Sequence, residues 1–422
     1  MIETRPKKTH ERALLIGLEK QGVSKWDLQD SLEELAELAN SAGAEVVDTV
    51  TQKLQKPTAP YYIGKGKAEA IKDSLQVQQV TSVIFDDELS PAQGRNLENL
   101  LARKVLDRTQ LILDIFAQRA RSREGRLQIE LAQLQYLLPR LTRMWHHLSR
   151  QTGGIGTRGP GETQLEVDRR RVQERIARLE RELEAVRKTR AIQRQGRKRH
   201  QWPVAAVVGY TNAGKSTLLN LLTGADVVTQ NKLFATLDPT TRSFVLPNKQ
   251  RVLLTDTVGF LRKLPHTLIE SFKATLEEVS EADLLIHIVD LSHPRVDEQM
   301  AAVDSVIKEL DAFGKQTLIV FNKIDNLPNR ELAESYVKRF PGSVAISART
   351  GEGVNKLVQT LENALSSWRL RSRLRIPSNE SALIAEIHRV GHVLELRYEG
   401  NDALIIAHVP PELAQKLERF AA

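Results

Sequence analysis

The octapeptide Gly209-Tyr-Thr-Asn-Ala-Gly-Lys-Ser216 lies between a short apolar run, VAAVV, and a segment that opens a helix. A G-x-x-x-x-G-K-S/T loop functions only in that context, because its backbone must turn from a buried strand straight into a helix N-terminus. Gly209 and Gly214 permit the tight turn, so successive N–H groups converge on phosphate oxygens and the helix's positive end adds to the field. The loop Gly209, Tyr210, Thr211, Asn212, Ala213, Gly214, Lys215, Ser216 and Thr217 is therefore assigned to nucleotide. Lys215 supplies a point charge to the terminal phosphates, and the Ser216 hydroxyl is placed to coordinate Mg²⁺. The loop also demands a mostly parallel sheet around it, and residues 204–368 comply: VAAVV, RVLLT, LLIHIV, TLIVF and SVAIS read as buried strands with helices after most of them.

Three further motifs follow in order, each at the end of one of those strands. Asp256-Thr257-Val258-Gly259 ends RVLLT, where Asp256 can hold a water on Mg²⁺ and the Gly259 N–H can meet a γ-phosphate. Asn322-Lys323-Ile324-Asp325 ends TLIVF. A carboxylate at Asp325 accepts both N1–H and the N2 amine of guanine, whereas adenine offers no such pair, so the motif selects GTP over ATP. Asn322 would brace the loop, Lys323 would lie along the base, and the N–H of Ala348, in Ser347-Ala348-Arg349, can bind guanine O6. Between the first two motifs, Phe234-Ala235-Thr236-Leu237-Asp238 and the residues up to Arg242 form a γ-phosphate-sensing loop. Thr236 is the expected Mg²⁺ ligand there; Thr240 is the competitor.

The rest of the chain bounds the setting. At 422 residues it needs two to four domains. With no cysteine, disulfides and thiolate chemistry are excluded, and the reducing cytosol fits. No leader-like or membrane-spanning apolar stretch is present, so a cytoplasmic chain, expected to be monomeric, is anticipated. Residues 1–117 alternate short β-like runs with helical ones, as α/β proteins do. In 118–200, Leu127, Leu131, Leu134, Leu138, Leu141, Trp145 and Leu148 mark one helical stripe, with a kink expected at Pro139, and Val172, Ile176, Leu179, Leu183 and Val186 mark another. A helical hairpin with the glycine-rich stretch QTGGIGTRGPGETQ at its tip is the simplest reading. The expected divisions are 1–117, 118–200, 203–368 and 369–422. In the last of these, ALIAEIH, VLELRY and ALIIAHV read as strands and Pro411 opens a helix, giving a small α/β appendage.

Charge is concentrated. Residues 168–200 hold 13 Lys/Arg against 5 Asp/Glu, an excess that equals the whole net charge of +8. That segment is the candidate for meeting a polyanion.

With these motifs assembled, the chain resembles the HflX family of ribosome-associated P-loop GTPases. The resemblance rests on YYIGKGK, FDDELSPAQGRNLE, the run DRTQLILDIFAQRARSREGRLQIELAQLQYLLPRL, GGIGTRGPGETQLE, and GYTNAGKSTL, LFATLDPT and DTVGF. It implies binding of GTP and GDP, association with the large ribosomal subunit and its rRNA, and splitting of stalled or idle ribosomes under stress; a GTP-dependent assembly or RNA-binding factor is the alternative. Gly153, Gly154 and Arg158 at the hairpin tip and Arg169, Arg170 and Arg171 on the basic helix are the candidate RNA contacts. Phe260 stands where Ras-like GTPases carry a water-orienting glutamine, so no catalytic side chain is assigned and slow hydrolysis, stimulated by ribosomes, is expected. Asn212 resembles the asparagine of potassium-activated GTPases, which makes K⁺ a second candidate ion beside Mg²⁺. The family resemblance also raises ATP use by the N-terminal domain, where Gly64-Lys-Gly-Lys67 could begin a phosphate-contacting helix; a surface turn explains it equally well.

Overall fold

The computed structural model describes residues 11–22, 24–141, 164–198, 202–224, 233–234, 237–238, 240–263, 276, 278–366 and 370–422. The chain divides into two compact units: residues 1–186 with 232–234 and 262–272, and residues 187–231 with 235–261 and 273–422. No helix among the described residues is long and apolar enough to cross a membrane.

In the first unit, strands β1 (Glu11–Glu19), β2 (Ala44–Lys53), β3 (Ser82–Phe85) and β4 (Lys104–Asp107) form a parallel sheet in the order β2-β1-β3-β4. Helices α1 (Lys25–Ala42), α2 (Lys65–Val77), α3 (Pro91–Leu101) and α4 (Arg108–Arg119) join them. Ser24 and Ser90 start α1 and α3 with reciprocal caps to Asp27 and Gln93, the S/T-x-x-D/E/Q signature of a helix beginning. β3 and the end of β1 are buried on both faces, as a sheet covered by helices requires.

Helices α5 (Arg123–Leu141) and α6 (Gln164–Lys198) form the anticipated hairpin. Leu127 and Leu131 pack on Leu179 and Leu183, flanked by Leu134, Ile176 and Val186, so the two stripes meet. A bidentate pair between Arg175 and Glu130, at 2.7 and 2.8 Å, fixes their register. The C-terminal turns of α5 are tied to the C-terminal edge of the first sheet, where the Tyr136 hydroxyl donates to Asp107 (2.7 Å) and Arg140 to the Leu89 carbonyl (2.9 Å). Pro139 lies in the last turn of α5; Trp145, Leu148 and the glycine-rich tip lie outside the described residues.

The second unit holds a six-stranded sheet, β10-β9-β8-β5-β7-β6, made of β5 (Val204–Gly209), β6 (Thr240–Val245), β7 (Arg251–Asp256), β8 (Leu284–Asp290), β9 (Thr317–Asn322) and β10 (Val344–Ala345). All pairings are parallel except β6 with β7. β5 and β8 are buried almost throughout, and α7 (Lys215–Thr223), α8 (Val296–Glu309), α9 (Glu331–Arg339) and α10 (Val354–Ser366) complete the α/β pattern.

The C-terminal segment departs from its sequence reading. ALIAEIH is not a strand but the body of helix α11 (Ser381–Val390). Leu383, Ile384 and Ile387 are spaced to cover one helix face and pack on a sheet core. That sheet is antiparallel, ordered β11-β13-β12, from β11 (Leu370–Pro377), β12 (His392–Glu399) and β13 (Asp402–Val409), with α12 (Pro411–Leu417) beside α11 on the same face.

Leu179 is fully buried in the small hairpin cluster. Leu179→Ala is expected to cost about 2–3 kcal/mol, the low end for a buried leucine because few neighbours surround it. Hydrogen exchange should locate the loss in α5 and α6; equal exchange in the variant and the parent would rule out the packed hairpin.

Candidate functional site

Three loops converge at the C-terminal edge of the second unit's sheet, where open α/β sheets bind ligands. The first leaves β5 and enters α7. Gly209 and Gly214 adopt φ of +153° and +97°, and a Cβ on either would lie 2.3 Å from the Ile288 carbonyl oxygen or 2.2 Å from Asn322 Nδ2, so only glycine fits. Asn212 is left-handed, with φ +60°. Lys215 Nζ donates to the Gly209 and Tyr210 carbonyls at 3.2 and 2.7 Å, wrapping its ammonium in the loop's own backbone.

Burial lowers the Lys215 pKa to about 8; Asp256 opposes that shift and Lys323 adds to it. The same burial, with Lys215 nearby, pushes His287 down to about 4, so this histidine of β8 stays neutral in the core.

The second loop follows β7. Ser216 Oγ donates to Asp256 Oδ2 at 2.6 Å, bringing a hydroxyl and a carboxylate together behind the phosphate loop. Thr257 Oγ1 donates to the Val207 carbonyl (2.7 Å), pinning β7's exit to β5. Gly259 lies so close that a Cβ would stand 2.9 Å from Thr211 Cα. The neighbouring Phe260 is 1% exposed; its N–H donates to Gly209 O (3.1 Å) and its carbonyl accepts from Thr211 N (2.8 Å). It thus offers the loop its backbone and the core its ring. Val258 is buried as well.

The third element is Asn322. Its Nδ2 donates to the Ala213 carbonyl (2.8 Å) and its Oδ1 accepts from Ala348 N–H (2.9 Å), so one amide fastens the phosphate loop to the loop after β10. The Ala348 N–H assigned to guanine O6 is, as placed, engaged by Asn322. Ser347 Oγ accepts from Thr350 N–H, and Arg349 reaches Asp325 at 3.9 Å. Ile324 is buried beneath Asp325. Lys323, left-handed at φ +63°, pairs with Asp290 at 2.7 Å. Asp290 was not singled out from sequence; its signal was a carboxylate ending the apolar strand LLIHIVD, and it is held in turn by Ser292.

Several predicted residues fall elsewhere. Ala235 and Thr236 lie outside the described residues, as do Gly153, Gly154 and Arg158. Phe234 belongs to the first unit, with its ring edge-on to Phe116 at 4.5 Å between centroids. Leu237 is buried, Asp238 half-buried, and Thr240 begins β6 opposite Asp256. Arg169, Arg170 and Arg171 are exposed on the early turns of α6, where Arg170 pairs with Glu174 and Arg171 with Asp168 of the same helix. Gly64 caps α2 without a side-chain bond, and its N–H is taken by Gln52.

A strand-to-helix phosphate loop, a carboxylate beside its serine and an asparagine-braced base loop on one sheet edge define a P-loop GTPase. Residues 29–117 match a family described as GTP-binding GTPase N-terminal, 119–197 its middle region, and 204–323 one described as 50S ribosome-binding GTPase. The chain is 48% identical over 97% of its length to GTPase HflX of Caldanaerobacter subterraneus (94% of that protein), and 47% over 86% to that of Escherichia coli (85% covered). A GDP-bound GTP-binding protein from Sulfolobus solfataricus aligns with 85% of this chain and 99% of its own, at 26% identity and a TM-score of 0.45. This chain belongs to the HflX family of GTPases and hydrolyses GTP.

Two outcomes follow for nucleotide binding. Asn322→Ala removes two buried hydrogen bonds, each worth about 1–2 kcal/mol, so GDP affinity should fall roughly 30- to 1,000-fold by calorimetry. With Lys215 in the role the sequence gives it, as the point charge on the terminal phosphates, affinity should be flat below the pKa of about 8 and fall as pH rises through it. The loss should reach about tenfold by pH 9, and a level profile from pH 7 to 9 would refute the role given to Lys215.

Proposed function

We propose that this GTPase acts on the large ribosomal subunit and splits or rescues stalled ribosomes under stress. The observation that carries the reading is the basic hairpin helix: α6 presents exposed Arg169, Arg170 and Arg171, and its segment accounts for the chain's entire net charge. Such a surface attracts rRNA phosphate whatever the sequence, by releasing counterions. The glycines of the hairpin tip, Gly153 and Gly154, permit close approach to RNA, and Arg158 can meet phosphate. The family description of residues 204–323 as 50S ribosome-binding supports the same partner. The divisions 1–117, 118–200, 203–368 and 369–422 are proposed as its working parts.

In the nucleotide site, the loop from Gly209 to Thr217 cradles the phosphates, with Lys215 as their point charge. Asp325 and the Ser347–Arg349 loop recognise guanine. Ser216 and Asp256 fit Mg²⁺, since hydroxyl and carboxylate are hard oxygen donors. The ion would supply charge neutralisation at the β- and γ-phosphates. Thr236 is the preferred ligand in the sensing loop, because Thr240 is taken into β6. K⁺ at Asn212 belongs to this proposal too. Since Phe260 is committed to the core, no side chain at that position orients water, and hydrolysis alone is slow until the ribosome completes the site.

Reversing Arg169, Arg170 and Arg171 to Glu should weaken co-sedimentation with purified large subunits more than tenfold and flatten the log–log salt slope by about two to three. Unchanged affinity and slope would refute the helix as the RNA contact. Light scattering of intact ribosomes with GTP should report dissociation; tight binding without dissociation would favour the assembly-factor alternative.

A further inference from the structure

The C-terminal sheet has one covered face and one open face. Burial alternates residue by residue along β13, with Ala403, Ile405, Ala407 and Val409 packed under α11 and α12 and the intervening residues turned away. The pairing register places side chains on the open face in rows: Arg373 beside Ile406 beside Glu395, and Arg375 beside Leu404 beside Arg397. Arg371 extends the outer column. Leu394, the extra residue at a bulge in β12, is 47% exposed.

Charge on this face is only partly balanced. Asp402 pairs with Arg375 at 2.8 Å and Glu395 with Arg397 at 2.7 Å. Arg371 and Arg373 are exposed and make no ion pair or side-chain hydrogen bond with any described residue. Residues 370–422 hold seven Lys/Arg and seven Asp/Glu, so these two guanidiniums are a local excess on a neutral segment.

We propose that the open face of the C-terminal sheet docks an acidic, amphipathic α-helix of a partner protein. Alternate residues of a strand stand about 6.8 Å apart, close to the ~6 Å between side chains one turn apart on a helix, so Arg371 and Arg373 can each take a carboxylate of an i, i+4 pair. The next strand, about 4.8 Å away, presents Leu404 and Ile406, which an apolar stripe beside those carboxylates would cover. A nucleic-acid backbone would satisfy the guanidiniums but leave the apolar column uncovered. No Phe, Tyr or Trp of these strands shares the face for base stacking, since Tyr398 is aligned with buried Ala403; the rings on the face are the imidazoles of His408 and His392, in the row of Arg371.

The test uses the full chain, a fluorescent helical peptide of about five turns with leucines on one face and flanking i, i+4 glutamates, and an RNA duplex of about 16 base pairs. The peptide should bind saturably by anisotropy. Both Arg371→Glu/Arg373→Glu and Ile406→Ser should weaken it at least about tenfold, with GDP affinity unchanged as the folding control. Three results overturn the proposal: no peptide binding, binding insensitive to either variant, or duplex binding in place of peptide that is lost in the arginine variant and kept in Ile406→Ser, which would assign the face to phosphate.

Discussion

The carboxamide of Asn322 is the constraint on which the nucleotide site depends. It reaches the Ala213 carbonyl with its nitrogen and the Ala348 N–H with its oxygen, closing a link between loops that start on β5, β9 and β10. A charged side chain could not do this, because only an amide donates and accepts through a short, rigid fork. Gly214 has no Cβ for the same reason, since that atom would occupy the place of Asn322 Nδ2. Base recognition and phosphate recognition are therefore one mechanical assembly.

Where local pattern and tertiary setting agreed, the sequence was readable. β5, β7 and β9, behind the first three motifs, are largely buried and carry apolar runs, and the hairpin stripes step by three and four as the packed faces require. Where an element is short or its pattern ambiguous, the reading failed. β4 has four residues, β6 is an edge strand without a buried run, and ALIAEIH contains an apolar set that suits a strand or a helix until its partner is known. Within the site, the loops carrying Gly209–Ser216, Asp256–Gly259 and Asn322–Asp325 stood out because each follows an apolar strand run, and the structure brings them to one sheet edge. Asp290 did not, because its role depends on Lys323 folding back through a left-handed backbone that no spacing rule predicts. The choice of Thr236 over Thr240 gained its argument from the antiparallel pairing of β6, again a long-range fact.

Lys215 shows how the phosphate loop keeps its shape. Its ammonium is held by the carbonyls of Gly209 and Tyr210, so the side chain and the loop's own backbone fix each other's position. Burial of that amine lowers its pKa to about 8.

The strand order β10-β9-β8-β5-β7-β6 also has a consequence for how the protein is made. The earliest strand of this sheet to be made, β5, takes a central place and must wait for β7 on one side and β8 on the other, the latter 79 residues on, where the Asp283 carboxylate accepts from Val204 N–H. The link through Asn322 cannot close until Ala348 has also been synthesised. A nascent chain interrupted before that point carries the phosphate loop and its flanking strands without the link from Asn322 to Ala348. The join between the phosphate loop and the loop after β10 is thus a feature the chain completes late in its own translation.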